Sequence, residues 1–312
     1  MYMTKTCAAF WNHTNLRSGD RIYPCCRFKK PIQSFDGNVS RILHSDEYQK
    51  LRTQDVSTMP ECAKCMHEES NGKESLRQQF NKEYTQDKIE LKYFEVGFDN
   101  ICDLACDGCW SEWSHTWALK EKPNASLKEV IVSTKDLHST PSSINKVVFL
   151  GGEPLMTNRH RRFLQSFESL DNLEVEYFTN GMHDLQEADY NILNQCKRVH
   201  FTVSIDGYGD LNEKVRSNSK WDKVLNTLNT IADRFDYTIH TTIHKNNWHG
   251  LPKLAEFTQG YKKWTTNVLT FPQKLDIIYL NYNEKIELTK ILDKYDIPNG
   301  EYIRAHINGN ME

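Results

Sequence analysis

The sequence has no apolar run long enough to cross a bilayer. Its longest, such as Val147–Leu150, fall far short of the ~20 residues a spanning helix needs. It also has little net charge: −3 over 312 residues, with the basic side chains scattered. That leaves no electrostatic footprint for nucleic acid, although a near-neutral chain can still hold a nucleotide through stacking. The opening residues, MYMTKTCAAFWNH, contain no apolar stretch followed by a cleavage site, so no secretory signal is read and a cytoplasmic location is expected. No internal repeat and no low-complexity tract appears. The hydrophobic share of 38% suffices for one large domain, or one large and one small.

Cysteine, by contrast, is concentrated. Of nine, eight fall in the first 109 residues: Cys7, Cys25, Cys26, Cys62, Cys65, Cys102, Cys106 and Cys109. With no secretory signal and a large core-forming remainder, a disulfide framework is set aside in favour of metal ligation. Cys196, at the end of a helical segment, reads as a small buried hydrophobe.

Residues 1–90 are polar and turn-rich, with helical stretches near 40–53 and 75–84, as in a small module braced by metal. From residue 91 the texture alternates. Strand signals at 91–98, 146–150, 173–179, 198–206, 237–244 and 267–271 are separated by helical patterns near 127–136, 158–169, 186–194, 221–235 and 251–260. Such alternation predicts an α/β fold of parallel βαβ units, a partial six-stranded TIM-like barrel behind the cysteine-rich module. A helix is expected over 282–295, and an extended tail beyond Pro298.

Two strands carry a second pattern. His200, Thr202, Ser204 and Asp206 share one face, opposite Val199, Phe201, Val203 and Ile205. His240, Thr242 and His244 lie opposite Ile239, Thr241 and Ile243. If the apolar faces meet helices, the polar faces look inward and line a ligand cavity; the competing reading is an exposed edge. His240, Thr242 and His244 are therefore candidate substrate-cavity residues.

The stretch NICDLACDGCW sets Cys102, Cys106 and Cys109 within eight residues, directly after the first of these strands. Thiolates select zinc and iron–sulfur clusters. A structural zinc site closes with four ligands, and no histidine lies nearer than His115. A cubane cluster on three cysteines leaves one iron open to a cofactor or substrate, and the spacing favours that reading over zinc.

C-x3-C-x2-C after the first strand of a partial barrel resembles the radical S-adenosylmethionine (radical SAM) superfamily. Three further places match: Gly151, Gly152, Glu153 and Pro154 in FLGGEPLM; Thr179, Asn180 and Gly181 in YFTNGM; and Ser204 and Asp206 in SIDG, followed by Arg216 in KVR. Each alone is an ordinary turn signal, but they fall in order at successive strand ends, where barrel enzymes keep their chemistry. The resemblance spans about residues 91–275. It implies a [4Fe–4S] cluster on Cys102, Cys106 and Cys109, with S-adenosylmethionine on its open iron. Reductive cleavage would give a 5′-deoxyadenosyl radical that abstracts hydrogen from a substrate. The resemblance assigns the methionyl ammonium to the GGEP turn and Glu153. It gives Ser204 and Asp206 to the ribose or methionyl end, and the carboxylate to Arg216; Thr179 and Asn180 join this cofactor set. Relatives carry an aromatic residue before the third cysteine as part of the adenine site. Here that position is Gly108, with Trp110 after the cysteine as the candidate replacement.

The front end resembles the SPASM/twitch auxiliary module of the same superfamily, placed before the barrel rather than after it. Its implied ligands are Cys7, Cys25, Cys62 and Cys65, with Cys26 as the alternative, for a second [4Fe–4S] cluster; zinc is the competing occupant. The expected domains are thus residues 1–90, 91–281 and 282–312. The resemblance further implies a peptide or protein substrate and a reductant such as flavodoxin or ferredoxin. Oxidation of a small alcohol, sugar-like or nucleotide substrate is the second possibility, and a zinc-braced binding protein is the reading from outside enzymology.

Overall fold

The computed structural model describes residues 5–138 and 140–309. Among these described residues, eleven strands run in chain order. The first five are β1 (His13–Arg17), β2 (Arg21–Tyr23), β3 (Gln33–Ser34), β4 (Tyr93–Val96) and β5 (Ala105–Cys106). They are followed by β6 (Lys146–Phe149), β7 (Glu174–Thr179), β8 (Arg198–Ser204), β9 (Arg216–Ser217), β10 (Asp236–Ile243) and β11 (Trp264–Val268). The chain divides into two compact units: residues 1–100, 131–176 and 187–198, and residues 101–130, 177–186 and 199–312. The first unit thus groups the cysteine-rich stretch with β4 and β6.

In the first unit the strand order is β3-β2-β1-β4-β6, and the start of β7 follows β6. β4 pairs parallel with β6 (Phe94 opposite Val147) and with β1 (Thr14 opposite Phe94), whereas β2 and β3 run antiparallel. β1 escaped the sequence reading because HTNLR is short and polar, without the run of β-branched residues that marks a strand. It forms because β4 offers it an unpaired edge, whose backbone groups must be satisfied. Leu16, Phe94, Val96, Val147 and Phe149 are buried. Phe163, from the helix Arg159–Leu164, packs its ring 5.7 Å from Phe94 and 6.3 Å from Phe149, burial that stabilises by about 1.5–3 kcal/mol. The helix expected over 127–136 stops at Val130. The chain beyond it is extended instead, with Ser133 bridging Asp99 and His138 bridging Asn38.

In the second unit β8, β10 and β11 pair parallel, with Val203 opposite Ile239 and Ile243 opposite Val268; the end of β7 lies beside β8. Tyr177 stacks on Phe201 with centroids 5.0 Å apart. The helix Trp221–Ala232 buries Val224, Leu228 and Ile231, one stripe at helical spacing. The last strand lies at 264–268, slightly before the expected 267–271. The tail is not extended: Gly300–Ile307 is a helix. Ile303 and Ile307, four apart, join Leu288, Ile291 and Leu292 in one apolar cluster, and His306 Nε2 lies 2.6 Å from Asp276 Oδ1. A one-turn apolar repeat is too brief to read without the partner helix.

The helix Asp46–Thr53 carries Tyr48, fully buried, whose hydroxyl donates to Thr14 Oγ1 at 2.9 Å and so ties β1 to that helix. Replacing Tyr48 by Phe is expected to cost about 1 kcal/mol, seen as a lower thermal midpoint with an unchanged circular dichroism spectrum. An unaltered midpoint would remove this bond from the account.

Candidate functional site

The three-cysteine loop lies wholly in the second unit, and its backbone is tightly anchored. Cys102 N–H donates to His115 Nδ1 (3.0 Å), and the Cys102 carbonyl accepts from Thr116 Oγ1 (2.8 Å). Ser114 caps the helix His115–Glu121 by accepting from Trp117 N, while its own hydroxyl donates to the Leu104 carbonyl at 2.6 Å. Trp117 Nε1 donates to the Cys106 carbonyl (2.9 Å), and Asp107 N–H to Val215 O (2.7 Å). One short helix and its cap therefore hold the carbonyls of three loop residues, Cys102, Leu104 and Cys106.

The other expected residues of this unit gather round that loop. Cys106 pairs with Arg216 across β5 and β9. Asn180 Nδ2 reaches Cys102 Sγ at 3.8 Å and Asp103 Oδ1 at 3.3 Å. Its own turn is closed by Met182 N–H donating to Asn180 Oδ1 and by Gly181 N–H donating to Thr179 Oγ1. Asp206 and Arg216, both buried, form an ion pair of 2.6 Å, and the second Asp206 oxygen accepts from Thr242 N (2.8 Å). The carboxylate of Asp206 is thus engaged by protein groups on both oxygens, which makes it a brace for Arg216 and β10. Ser204 ends β8 opposite His240. His240 Nδ1 lies 3.0 Å from Thr265 Oγ1. Burial lowers the pKa of His240 and of His244, favouring neutral rings. Burial pushes the Cys109 thiol up to about 12 and also raises Cys106, while the Arg216 guanidinium works against the rise at both. Thiols of this kind ionise readily only on binding a metal.

Gly108 has φ +76, and a Cβ there would stand 2.7 Å from Leu269 Cδ2. Leu269, just past β11, fills the space beside the third cysteine. Trp110 is 36% exposed and packs edge-on against Phe271 (5.7 Å) and Trp113 (6.5 Å). Several contributors were missed in the sequence because they are lone polar residues in loops. Asn247 Nδ2 donates to the Asp206 and Thr242 carbonyls (2.9 Å each), Asn246 Nδ2 donates to Asp107 Oδ2 (2.8 Å), and His183 Nε2 meets Asp103 Oδ2 (3.1 Å).

The GGEP turn lies in the first unit. Gly151 has φ +114, and its missing Cβ lets it approach Gly97 and the Asp99 carbonyl, which a Cβ would meet at 2.9 and 3.0 Å. Gly152 N–H donates to that same carbonyl (3.0 Å). Glu153 is buried and accepts from Leu155 N (3.1 Å), opening the 3-10 turn Pro154–Met156. Also in this unit, Cys7, Cys25, Cys62 and Cys65, all buried, line one small cavity with Phe10, Phe28 and Phe80 among its walls. Cys26 is exposed and does not line it. Among the described residues, no group of three or more His, Cys, Asp or Glu is gathered so as to hold a single metal ion.

The parallel α/β pairing with a three-thiol loop beyond a strand end is the architecture that the comparison with known families places. The family model for the radical SAM superfamily matches residues 98–258, just over half of the chain, and the chain belongs to that superfamily. Membership implies S-adenosylmethionine and an iron–sulfur cluster. Among solved structures, the chain is similar to Streptococcus suis SuiB bound to its precursor peptide SuiA. There the identity is 14% and the TM-score 0.43, covering 76% of this chain and 61% of SuiB. It is similar to anSMEcpe with bound AdoMet at 16% identity and TM-score 0.44, covering 71% and 60%. TYW1 with a lysine-pyruvate adduct bound follows at 16% and 0.35, covering 62% and 70%. The chain spans 42%, 61% and 62% of the first three solved chains it matches. No curated protein matches it.

Two outcomes test this geometry. Gly108→Ala is expected to destabilise the chain by about 1–2 kcal/mol from its positive φ alone. Adding Leu269→Ala should recover only the steric part of the loss in urea unfolding. Asp206→Ala leaves Arg216 buried without a counter-charge and should cost about 3–5 kcal/mol, far more than Ser204→Ala; equal small losses would contradict the bracing role.

Proposed function

We propose that the protein is a radical SAM enzyme built as a partial (β/α) barrel that acts on a peptide or protein side chain. A single observation carries the reading: a family match over residues 98–258 that takes in three thiols at C-x3-C-x2-C spacing on a loop whose backbone is anchored. The donor set fits a [4Fe–4S] cluster, since three soft ligands leave one iron for the amino and carboxylate groups of S-adenosylmethionine. Bound and reduced, that pair supplies a 5′-deoxyadenosyl radical for hydrogen abstraction. The chain's own share is positional. Asn180 bonds Asp103 beside the first ligand, while Arg216, held by Asp206, places a cation next to Cys106 for the cofactor carboxylate. Glu153, in its GGEP turn, is the proposed partner of the methionyl ammonium. Trp110, Thr179 and Ser204 complete the proposed cofactor set, and His240, Thr242 and His244 present neutral polar groups for substrate.

Cys7, Cys25, Cys62 and Cys65 form the proposed ligand set of a second, closed cluster in a SPASM/twitch-like module, in keeping with their common cavity. A flavodoxin or ferredoxin is the proposed reductant. The peptide substrate rests on the resemblance to module-bearing relatives, and SuiB and anSMEcpe have themselves been solved with peptides. The four-thiol cavity also suits a second reading, two-electron oxidation of a small alcohol, sugar-like or nucleotide substrate with the second cluster as acceptor.

Anaerobic reconstitution is expected to give about eight irons per chain and 5′-deoxyadenosine on dithionite reduction with S-adenosylmethionine. Cys106→Ala should abolish that product and keep about four irons. Zinc in place of iron, with no cleavage, would instead mark a metal-braced binding protein.

A further inference from the structure

The cavity of the four front cysteines has two cations in its wall. Arg27 and Arg77 both line it, together with one acid, Glu61. Each guanidinium is gripped by a carboxylate of the helix Ala63–Ser70, the same helix that carries Cys65. Arg77 lies bidentate on Glu69, with Nε to Oε1 at 2.8 Å and Nη2 to Oε2 at 2.5 Å, and Arg27 Nη2 reaches Glu68 Oε1 at 3.2 Å. Neither Glu68 nor Glu69 lines the cavity, whereas both arginines do. Arg77 Nη1 also donates to the carbonyl of Thr6 (2.9 Å), the residue before Cys7. Ser75, which caps the next helix, donates to Glu69 Oε1 (2.6 Å) and anchors the carboxylate in turn. Three of the five guanidinium N–H donors are spent on this clamp and two are left over. The pair is largely shielded from water, with side-chain exposures of 13% and 10%.

A simple structural brace does not need a cation fixed this firmly beside its ligands. A cluster that takes up an electron does: reduction adds one negative charge to a site that already holds four thiolates, and a shielded positive charge close by offsets it. We propose that Arg77 is a positioning residue for electron transfer, raising the reduction potential of the four-cysteine cluster so that it serves as an electron acceptor. The inference rests on the reading that these four thiols hold a [4Fe–4S] cluster. Glu69 is the counterweight, and its removal leaves the cation unbalanced.

The test is an EPR-monitored redox titration of the reconstituted full chain carrying Cys106→Ala, which leaves the front cluster alone. Arg77→Gln is expected to lower its midpoint potential, Arg77→Lys to return it towards the parent value, and Glu69→Gln to raise it. A purely structural role would leave all three potentials where they began, and that result overturns the proposal. If Arg77→Gln does not take up iron, Glu69→Gln decides alone, a raised potential supporting the proposal and an unchanged one sinking it. Metal analysis of the parent is the separate check on the cluster itself. Zinc in the cavity, or no iron beyond the three-cysteine cluster, removes the underlying reading and the proposal with it.

Discussion

The buried pair of Asp206 and Arg216 is the interaction on which the three-cysteine site depends. Its carboxylate spends one oxygen on the guanidinium and the other on the backbone of β10. Its guanidinium belongs to β9, which pairs with the strand carrying Cys106. One ion pair thus joins the chain just past β8, the end of β10 and the three-cysteine loop. Removing two charges from water costs several kcal/mol each, and such a pair is seldom the most stable filling of a core. Its worth here lies in placing a cation beside thiols that burial alone would keep protonated, as the opposing effects on Cys106 and Cys109 indicate.

The same physical pattern recurs at the front cavity with different parts. Burial raises the thiol pKa values, an arginine opposes the rise, and a carboxylate fixes the arginine. The ligand sets differ in number, three against four, and that difference separates a proposed cluster open to a cofactor from a closed one suited to carrying electrons. The backbone also differs. The three-thiol loop is tied down by side-chain bonds from the helix His115–Glu121, whereas the four thiols come from distant stretches of the first 65 residues and meet only because the chain folds them round one space.

Glycine at two places makes close approach possible. Gly151 against Gly97 brings two backbones within reach of a shared carbonyl, and only the first of these glycines stands out as part of a motif. At Gly108 the positive φ disfavours any residue with a side chain, and a Cβ there would press on the end of the Leu269 side chain. Leu269 and Trp110 occupy the surroundings instead, a substitution across about 160 residues of sequence that local pattern could not reveal.

Candidate residues were legible in the sequence wherever chemistry demands a residue type at fixed spacing. The three thiols, the GGEP turn, Asn180, Asp206 and Arg216 all stand out in this way, and so do the β-strands from Tyr93 onward with buried, alternating faces. β1, the helix Gly300–Ile307 and the asparagines at 246 and 247 were not legible. Their roles come from partners far along the chain: an unpaired strand edge, an apolar cluster, and the oxygen atoms of Asp107 and Asp206. By itself, then, the sequence determined the identity and spacing of the reactive groups, since local bonding rules limit them. Only the tertiary structure decided that Asp206 is braced rather than free, that Leu269 closes over Gly108, and that two arginines face the four front thiols. Those outcomes depend on which surfaces remain to be satisfied once the strands have paired.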